Sequence, residues 1–402
     1  PRYHIIWGTG HRLVTLFEEL LEKHPDKNKL SFLFEHKVVD FLIDSGKVTG
    51  CLALDENTTD KKSFYADHVM AACGGISGNL DKVREHWYKP WGSAPSDMLN
   101  GSHQFADGLI HDCLEQKNTA ITHLDKMWNY AAGIPHPKPH FPGHGLSLIP
   151  CKSALWLDAN GKRIGPEPLV TGFDTNELCR RVSQLPEPYT WQVLNWRIAA
   201  KEFAISGSEH NPSIRDRKLF DFLKEVLFGN HKLIKTLAKE SDHFIVADTL
   251  TELVQRMNAL NGDDKIHEDD LNTEIQAFDQ MINRGKALWN DDQLRRIQQA
   301  RAWRSDKFRT CHPKPIMDIR SGPLIAMKLR LISRKSLGGI QTNLDSQVLD
   351  KQGNVMQGLY AIGEAAGFGG GGASGFKSLE GTFLSGCILT ARAAAQSIHN
   401  SK

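Results

Sequence analysis

The segment that most constrains the fold spans residues 358–395 near the C-terminus. Residues 358–364 are a short apolar stretch that predicts a buried strand ending in Gly363-Glu364. A glycine-rich loop follows, and Glu380-Gly381-Thr382 opens a predicted helix of small residues that extends to about residue 397. Because a helix N-terminus carries free N–H groups and a partial positive charge, it can hold a pyrophosphate or another anionic part of a cofactor. The alternative is a flexible loop before a packed helix, and physical chemistry alone leaves both interpretations open.

Three glycines of this loop, Gly370, Gly372 and Gly375, also satisfy the spacing GxGxxG. A dinucleotide-binding fingerprint requires these glycines at a strand-to-helix turn inside a βαβ unit. Here several residues separate the predicted strand from the glycines, and no second parallel strand follows the helix. Near the start of the chain, Gly8-Thr9-Gly10 lacks the third glycine. Neither segment is therefore predicted to bind a dinucleotide in that way.

The composition is that of an ordinary globular chain of 402 residues, 40% of them hydrophobic and 24% charged. This length predicts two or three domains. The formal net charge of +2 gives no electrostatic argument for nucleic-acid binding. The 7 cysteines form no CxxC pair, which argues against disulfides and structural zinc and favours the cytoplasm. No stretch of about 18 apolar residues predicts a membrane-spanning helix, so stable membrane insertion is not expected.

Periodicity and turn residues predict mixed strands and helices, followed by a helix-rich middle region. We predict a helix at residues 11–24, strands at 30–35, 37–44, 47–54, 63–72 and 324–333, and a loop at 129–145, which is rich in proline, glycine and histidine. Asn160-Gly161 predicts a hairpin turn. Further helices are predicted at 216–228, 250–257, 269–284 and 292–301.

Several short motifs occur in the same order as in a known group of flavoproteins. They are Trp7-Gly8-Thr9-Gly10, Ala72-Cys73-Gly74-Gly75, residues 155–163, Gly172-Phe173-Asp174-Thr175, Lys201-Glu202-Phe203-Ala204, residues 333–339 and residues 358–392. By these motifs the chain resembles the fumarate reductase/succinate dehydrogenase flavoprotein superfamily, and within it the FAD-binding dehydrogenases related to 3-ketosteroid Δ1-dehydrogenase. The resemblance covers essentially the whole chain.

This resemblance implies an α/β fold in which a discontinuous, Rossmann-like FAD-binding domain carries an inserted α+β capping domain. Residues 1–146 would form the first part of the FAD-binding domain, residues 147–322 the capping or substrate domain, and residues 323–402 the C-terminal part of the FAD-binding domain. The resemblance also implies that the N-terminal βαβ unit, with its pyrophosphate-binding glycines and acidic ribose ligand, is absent before Pro1.

The cofactor that the resemblance implies is FAD, and its contacts carry over position by position. Val39 is expected beside the adenine through its backbone, and Ala72, Gly74 and Gly75 are expected beside the adenosine. Gly363 and Glu364 are expected at the ribityl–phosphate region. Gly381, Thr382 and Phe383 would direct helix N–H groups at the flavin pyrimidine.

Catalytic residues carry over less well, because this sequence departs from both family patterns. Phe376 stands where the steroid dehydrogenases have a tyrosine, and Ser378 stands where the fumarate reductases have an arginine. The remaining candidates are Arg334 and Lys335, which precede Gly338-Gly339, together with Tyr3 and Lys377. The alternatives are a solvated or ion-paired basic pair at 334–335 and core packing for Tyr3.

His136, His140 and His144 recur every four residues, which on a helix would place them on one face and allow metal binding. Prolines at positions 135, 137, 139 and 142 exclude that helix. We therefore predict a loop on the active-site side, without a metal.

The expected activity is that of an FAD-dependent dehydrogenase acting on a carbon–carbon bond next to a carbonyl, with hydride passing between the substrate and flavin N5. The substrate is expected to be a small hydrophobic ketone. Two alternatives stay open: a fumarate-reductase-like enzyme acting on unsaturated acids, and a chain that has neither flavin nor activity. The sequence predicts neither the electron acceptor nor the oligomeric state.

Overall fold

The N-terminal segment contains one predicted helix and lacks one predicted strand. A computed structural model describes residues 6–169, 175–367 and 382–401. Helix α1, Thr9–Glu22, follows the predicted helix closely. The predicted strand at 30–35 is wrong, because this run is irregular and exposed after a 3-10 turn at Lys27–Lys29. Phe32, Leu33 and Phe34 are exposed, and β propensity does not hold a strand that has no face to pack on.

A small antiparallel sheet follows, in the order β1-β2-β3. Its strands are β1 (His36–Asp44), β2 (Lys47–Asp55) and β3 (Lys61–Tyr65). The predicted single strand at 63–72 is two strands, because β3 ends at Tyr65 and β4 (Val69–Ala71) belongs to a different sheet.

The largest sheet has 8 strands, and one long strand pairs with four of the others. Its members are β5 (Met98–Asn100), β7 (Met127–Pro135), β8 (Gly145–Ile149), β9 (Leu155–Leu157), β10 (Tyr189–Asn195), β11 (Ala204–Ile205), β12 (Phe244–Ala247) and β13 (Leu324–Ser336). The first half of β13 pairs with β10 and β12, and its second half pairs with β5 and β7. Strand β13 therefore connects the two parts of the sheet.

Strand β7 corrects the predicted loop at 129–145. Most of Met127–Pro135 is buried, so its sequence does not show the alternation that marks a half-buried strand. The prolines and glycines that suggested a loop lie at its end and in the connection to β8. Only residues 136–144 form that connection.

Most helices lie in the middle of the chain, and α4, α5, α8 and α9 among them pack against the large sheet. Their bounds are α2 (Leu80–Glu85), α3 (Leu109–Gln116), α4 (Thr175–Ser183), α5 (Trp196–Glu202), α6 (Pro212–Arg215), α7 (Leu219–Phe228), α8 (His231–Glu240), α9 (Leu250–Asn261), α10 (Glu268–Asn283), α11 (Asp292–Ala302), α12 (Arg304–Phe308) and α13 (Thr382–Asn400). Side-chain oxygens of Asn195, Thr249 and Asp291 accept hydrogen bonds at the starts of α5, α9 and α11 and cap those helices. Among the described helices, none is long and apolar enough to cross a membrane.

Two further sheets contain β6 (Ile121–Thr122) with β14 (Gly339–Ile340), and β15 (Gln347–Leu349) with β16 (Val355–Ala361) and β4. Strand β16 runs parallel to β4, with Ala361 opposite Ala71. A second hydrophobic core forms here, separate from the core of the large sheet. It contains Phe41, Val48, Ala71, Ile110, Leu114, Ile340, Val348, Leu359, Ala361 and Ala365. Because β4 and β16 are parallel, their carboxyl ends meet at one edge, where ligands of α/β folds commonly bind.

Candidate functional site

A cleft of about 480 Å³ lies at the carboxyl edge of β4 and β16. The segment after β4 supplies Ala72 and Gly74, the turn after β16 supplies Glu364, and the end of β13 supplies Arg334 and Lys335. The cleft is completed by Cys73, Gly101, Ser102, His103, Phe105 and Ala106. The structure thus brings together five of the residues predicted from sequence, from three separate segments.

Bare backbone lines one wall of this cleft. Gly74 has φ +77°, in the left-handed region that glycine adopts without strain. A Cβ atom at Gly75 would overlap Ser336 Oγ and lie 2.8 Å from Glu364 Oε1. A Cβ atom at Gly101 would lie 2.8 Å from the side chain of Ile332. Gly75 and Gly101 allow the neighbouring segments to approach one another closely. Gly74 has no side chain, so its backbone faces the cleft.

Glu364 connects the end of β16 to the end of β13. Its Oε1 accepts a hydrogen bond from the Ser336 N–H (2.9 Å), and Ser336 Oγ accepts one from the Ile76 N–H (2.8 Å). Burial raises the pKa of the Glu364 carboxyl, while the Ser336 hydrogen bond and the charges of Lys335 and Arg334 act in the opposite direction. Glu364 therefore places a partly desolvated carboxyl beside two cations.

Arg334 and Lys335 reach the cleft because β13 is irregular at this point. The register of β13 against β7 shifts between Ile332 and Lys335, and such a bulge redirects side chains. Burial, with the neighbouring charge of Arg334, lowers the pKa of Lys335 to about 8. Burial also lowers the pKa of Arg334, and Glu364 opposes both shifts. Both cations are thus in an environment that disfavours unpaired charge.

Aromatic rings surround these two cations. Lys335 Nζ lies 4.2 Å from the ring centroid of Phe383 and 5.9 Å from that of Trp128. The Arg334 guanidinium lies 5.4 Å from the ring centroid of Tyr130. Phe383 is buried against Trp128, with the ring centroids 5.3 Å apart. The two cations therefore lie against aromatic rings, and cation–π attraction stabilises their positive charge.

The turn after β16 is held by two helices. Gly363 has φ +62°, and its N–H donates to Thr390 Oγ1 of α13 (2.9 Å). The buried ring of His111 on α3 donates through Nε2 to the Ala365 carbonyl (3.1 Å), and burial lowers the pKa of this histidine. Helix α13 begins at Thr382, close to the predicted start. The turn that carries Glu364 is thus fixed on both sides.

The other predicted residues lie elsewhere or outside the described residues. Val39 is half-buried at a bulge of β1, where the register against β2 shifts between Val38 and Asp40. It does not line the cleft in the part of the chain that the structure describes. Tyr3, Lys377 and Gly381, with Phe376 and Ser378, lie outside the described residues.

Sequence reasoning missed the aromatic residues Trp128 and Tyr130. Both lie on β7, in the segment predicted as a loop, and reach the site because β7 pairs with the end of β13. Their spacing of two residues places both side chains on one face of a strand. The two-residue spacing of these two aromatic residues was the available signal.

Comparisons with known proteins identify the family of this chain. A family model described as "FAD binding domain" matches residues 1–384. A KsdD-like steroid dehydrogenase of Mycobacterium tuberculosis is 38% identical over 98% of this chain and 72% of its own length. The KsdD-like steroid dehydrogenase of Mycolicibacterium smegmatis is 38% identical over 96% of this chain and 72% of its own length.

Two solved structures share the mixed α/β fold. The 3-ketosteroid Δ1-dehydrogenase of Sterolibacterium denitrificans superposes with a TM-score of 0.62 at 17% identity, over 96% of this chain. A flavocytochrome c3 fumarate reductase superposes with a TM-score of 0.61 at 16% identity, over 94% of this chain. The chain spans 62% and 53% of these two solved chains, respectively.

Proposed function

Because the chain belongs to the FAD-binding domain family, we propose that the protein oxidises or reduces a carbon–carbon bond next to the carbonyl group of a hydrophobic ketone. The protein is an FAD-dependent oxidoreductase of the KsdD-like steroid dehydrogenase type. One observation carries the finer assignment: Arg334 and Lys335 lie with Glu364 in one cleft, and each of the two cations contacts an aromatic ring.

The residues at the cleft fit FAD. Gly74 lines it with backbone in a conformation that favours glycine, so a planar or phosphorylated group can approach the backbone there. We assign FAD contacts to Val39, Ala72, Gly74, Gly75, Gly363, Glu364, Gly381, Thr382 and Phe383. When bound, FAD supplies the acceptor or donor of a hydride.

The cations would act on the carbonyl oxygen of the substrate. An ammonium or guanidinium in a partly desolvated site stabilises negative charge on oxygen more strongly than it does in water. With a pKa of about 8, Lys335 is largely protonated at neutral pH and can donate a hydrogen bond. The rings of Trp128, Tyr130 and Phe383 would exclude water and contact the apolar body of a ketone. We propose Tyr3 and Lys377 as further catalytic candidates on their sequence positions alone.

We also propose the domain division at residues 1–146, 147–322 and 323–402, with the first and last parts forming a discontinuous Rossmann-like FAD-binding domain. The second hydrophobic core supports it, because that core joins Phe41 and Ala71 to Leu359 and Ala365 across the whole middle of the chain. Helices α4 to α12 would then belong to the capping domain.

Flavin spectroscopy tests this proposal. FAD-loaded protein, mixed anaerobically with a 3-ketosteroid, should lose its visible flavin absorption, whereas fumarate or another dicarboxylate should not reoxidise the reduced protein. Lys335→Met should slow the reaction at least about tenfold, since it removes a charged hydrogen-bond donor. Lys351→Met, in an exposed turn, should match the wild type.

Two results would contradict the proposal. If no ketone changes the flavin spectrum while dicarboxylates do, the enzyme acts on unsaturated acids and the cations bind a carboxylate. If purified protein retains no flavin after incubation with FAD, the assignment of cofactor contacts in this chain is wrong.

A further inference from the structure

Five ionisable residues form a second cluster outside the cleft. His136, His140 and His144 lie on the connection between β7 and β8. Glu209 and His210 lie on the turn after β11. Strand β11 pairs with β8, with Ala204 opposite Ile149, and this pairing brings the two segments together. We call these five residues the histidine cluster.

The rings of the cluster pack directly on one another. The His136 side chain is only 1% exposed. Its ring centroid lies 4.4 Å from that of His144, in a stacked arrangement, and 5.8 Å from that of His210. His140 lies at 5.5 Å from His136 and 5.3 Å from His144. Four imidazoles therefore share one small volume, an arrangement that becomes repulsive if several of them are protonated.

Two sets of three donor atoms in the cluster are each close enough to share a metal ion. Glu209 Oε2 lies 3.4 Å from His136 Nε2 and 3.9 Å from His210 Nε2. One ligand atom from each of His136, Glu209 and His210 lies within 4.8 Å of the others, and the same holds for His136, His140 and His144. Ligands bound at about 2.1 Å in a tetrahedral site are about 3.4 Å apart. Side-chain movements of less than about 1.5 Å would bring the wider pairs to that spacing.

One nitrogen atom in the cluster that could bind a metal has no hydrogen-bond partner among the described residues. His210 Nε2 is buried and has no hydrogen-bond partner among the described residues. A buried polar atom in this state is unfavourable, and a bound ion would satisfy it.

The backbone holds the loop in place before any ion binds. The His136 N–H donates to the His144 carbonyl (2.9 Å), and the Asn100 N–H donates to the Gly143 carbonyl (2.8 Å). His136 Nδ1 accepts from the Lys138 N–H (2.9 Å), which turns Nε2 toward Glu209. An ion at Nε2 would replace the ring proton there, and that proton would move to Nδ1 at the expense of the Lys138 hydrogen bond.

We propose that the histidine cluster binds one divalent transition-metal ion of the zinc type. His136, Glu209 and His210 supply three ligands, which leaves the fourth position of a tetrahedral site open. Imidazole nitrogens with one carboxylate oxygen favour zinc and similar ions over magnesium and calcium, which prefer oxygen ligands alone. The ion would clamp the β7–β8 connection onto the turn after β11. The sequence prediction excluded a metal because prolines prevent a helix through the three histidines. Here the pairing of β8 with β11 brings the histidines and Glu209 together without a helix.

Zinc titration of the full chain tests this proposal. Protein dialysed against a chelator, and then freed of it, is titrated with ZnCl2 in competition with a chromophoric zinc indicator, and its thermal unfolding is followed with and without zinc. We expect one zinc ion per chain and a higher melting temperature with zinc. Glu209→Gln and His140→Gln change exposed residues, so both variants should fold. His210→Gln is the third variant to be titrated with zinc.

The matched control is His11→Gln, which removes an exposed histidine of α1. Zinc affinity should fall at least about tenfold in Glu209→Gln and His210→Gln and stay unchanged in His11→Gln. Equal affinity in the wild type and in a Glu209→Gln, His210→Gln double variant would overturn the proposal. A wild-type chain that binds no zinc at micromolar concentration would do so as well. Neither readout requires FAD, so the result is independent of the proposed reaction.

Discussion

Lys335 is the residue whose environment makes the sharpest prediction for the proposed reaction. Its pKa is lowered to about 8 by burial and by the neighbouring charge of Arg334. If its ammonium polarises the substrate carbonyl, the rate of flavin reduction by a ketone should fall as the pH rises through about 8. The group loses its proton, and with it the positive charge, over that range. Stopped-flow absorbance across the pH range measures this dependence.

Lys335→Arg provides the control for this pH dependence. A guanidinium keeps its proton far above pH 8, so the decrease attributed to position 335 should move to higher pH even if the maximal rate is lower. A purely structural role for Lys335 predicts a lower rate with an unchanged pH profile. That outcome would remove Lys335 from the proposed mechanism.

The site residues differ in how well sequence alone could find them. Ala72, Gly74, Arg334, Lys335 and Glu364 lie in motifs whose order along the chain predicted them, and all five line the cleft. The partners that set their environment, such as Ser336 for Glu364 and His111 for the turn at Ala365, come from hydrogen bonds across more than 25 residues. Such long-range contacts leave no local pattern in the sequence.

At the scale of secondary-structure elements, prediction failed where burial or pairing overrides local composition. The sequence of β7 predicts a loop because the strand is buried on both faces and ends at Pro135. Residues 30–35 were taken for a strand, although nothing buries their apolar side chains. Helices α7, α9, α10 and α11 of the middle region were predicted within a few residues, because each shows one apolar face. Helices α4, α5 and α8 were not predicted.

Helix α5 is anchored by a buried carboxylate at its end. Glu202 Oε1 accepts from Ser153 Oγ (2.6 Å) and from the Cys311 N–H (2.6 Å), and Oε2 accepts from the Ser153 N–H (2.9 Å). Glu202→Ala would leave two buried N–H groups unpaired, and each such group costs about 1–3 kcal/mol. We expect the free energy of unfolding to fall by about 2–5 kcal/mol, measured by urea denaturation.

Glu115→Ala, at an exposed position of α3, is the comparison for Glu202→Ala. It should change stability by less than about 0.5 kcal/mol. Nearly equal stability of the two variants would mean that the Ser153 and Cys311 N–H groups find other partners when Glu202 is removed. The segments before β9 and before β13 would then not depend on α5.

At the scale of the whole molecule, the described residues form a larger and a smaller hydrophobic core. The larger core belongs to the 8-stranded sheet and its helices, and the smaller core collects residues from both ends of the chain. The cleft lies where β13 leaves the large sheet and contacts the segments after β4 and β16. A ligand in the cleft therefore contacts elements of both parts and should stabilise the folded chain as a unit.

This arrangement predicts that FAD raises the melting temperature of the chain and that Gly74 is needed for the effect. At 100 times its Kd, a ligand that binds only the folded state adds about 2.7 kcal/mol of stability. Gly74→Ala should abolish most of this gain, because a Cβ atom would stand in the cleft 3.1 Å from the Ala106 side chain.

Gly262→Ala is the matched control: Gly262 also has positive φ (+72°), but its Cβ atom would meet open space. Both variants should lose about 1 kcal/mol from backbone strain, yet Gly262→Ala should retain the full FAD-induced shift in differential scanning fluorimetry. An FAD-induced shift of equal size in both variants would place the cofactor outside this cleft.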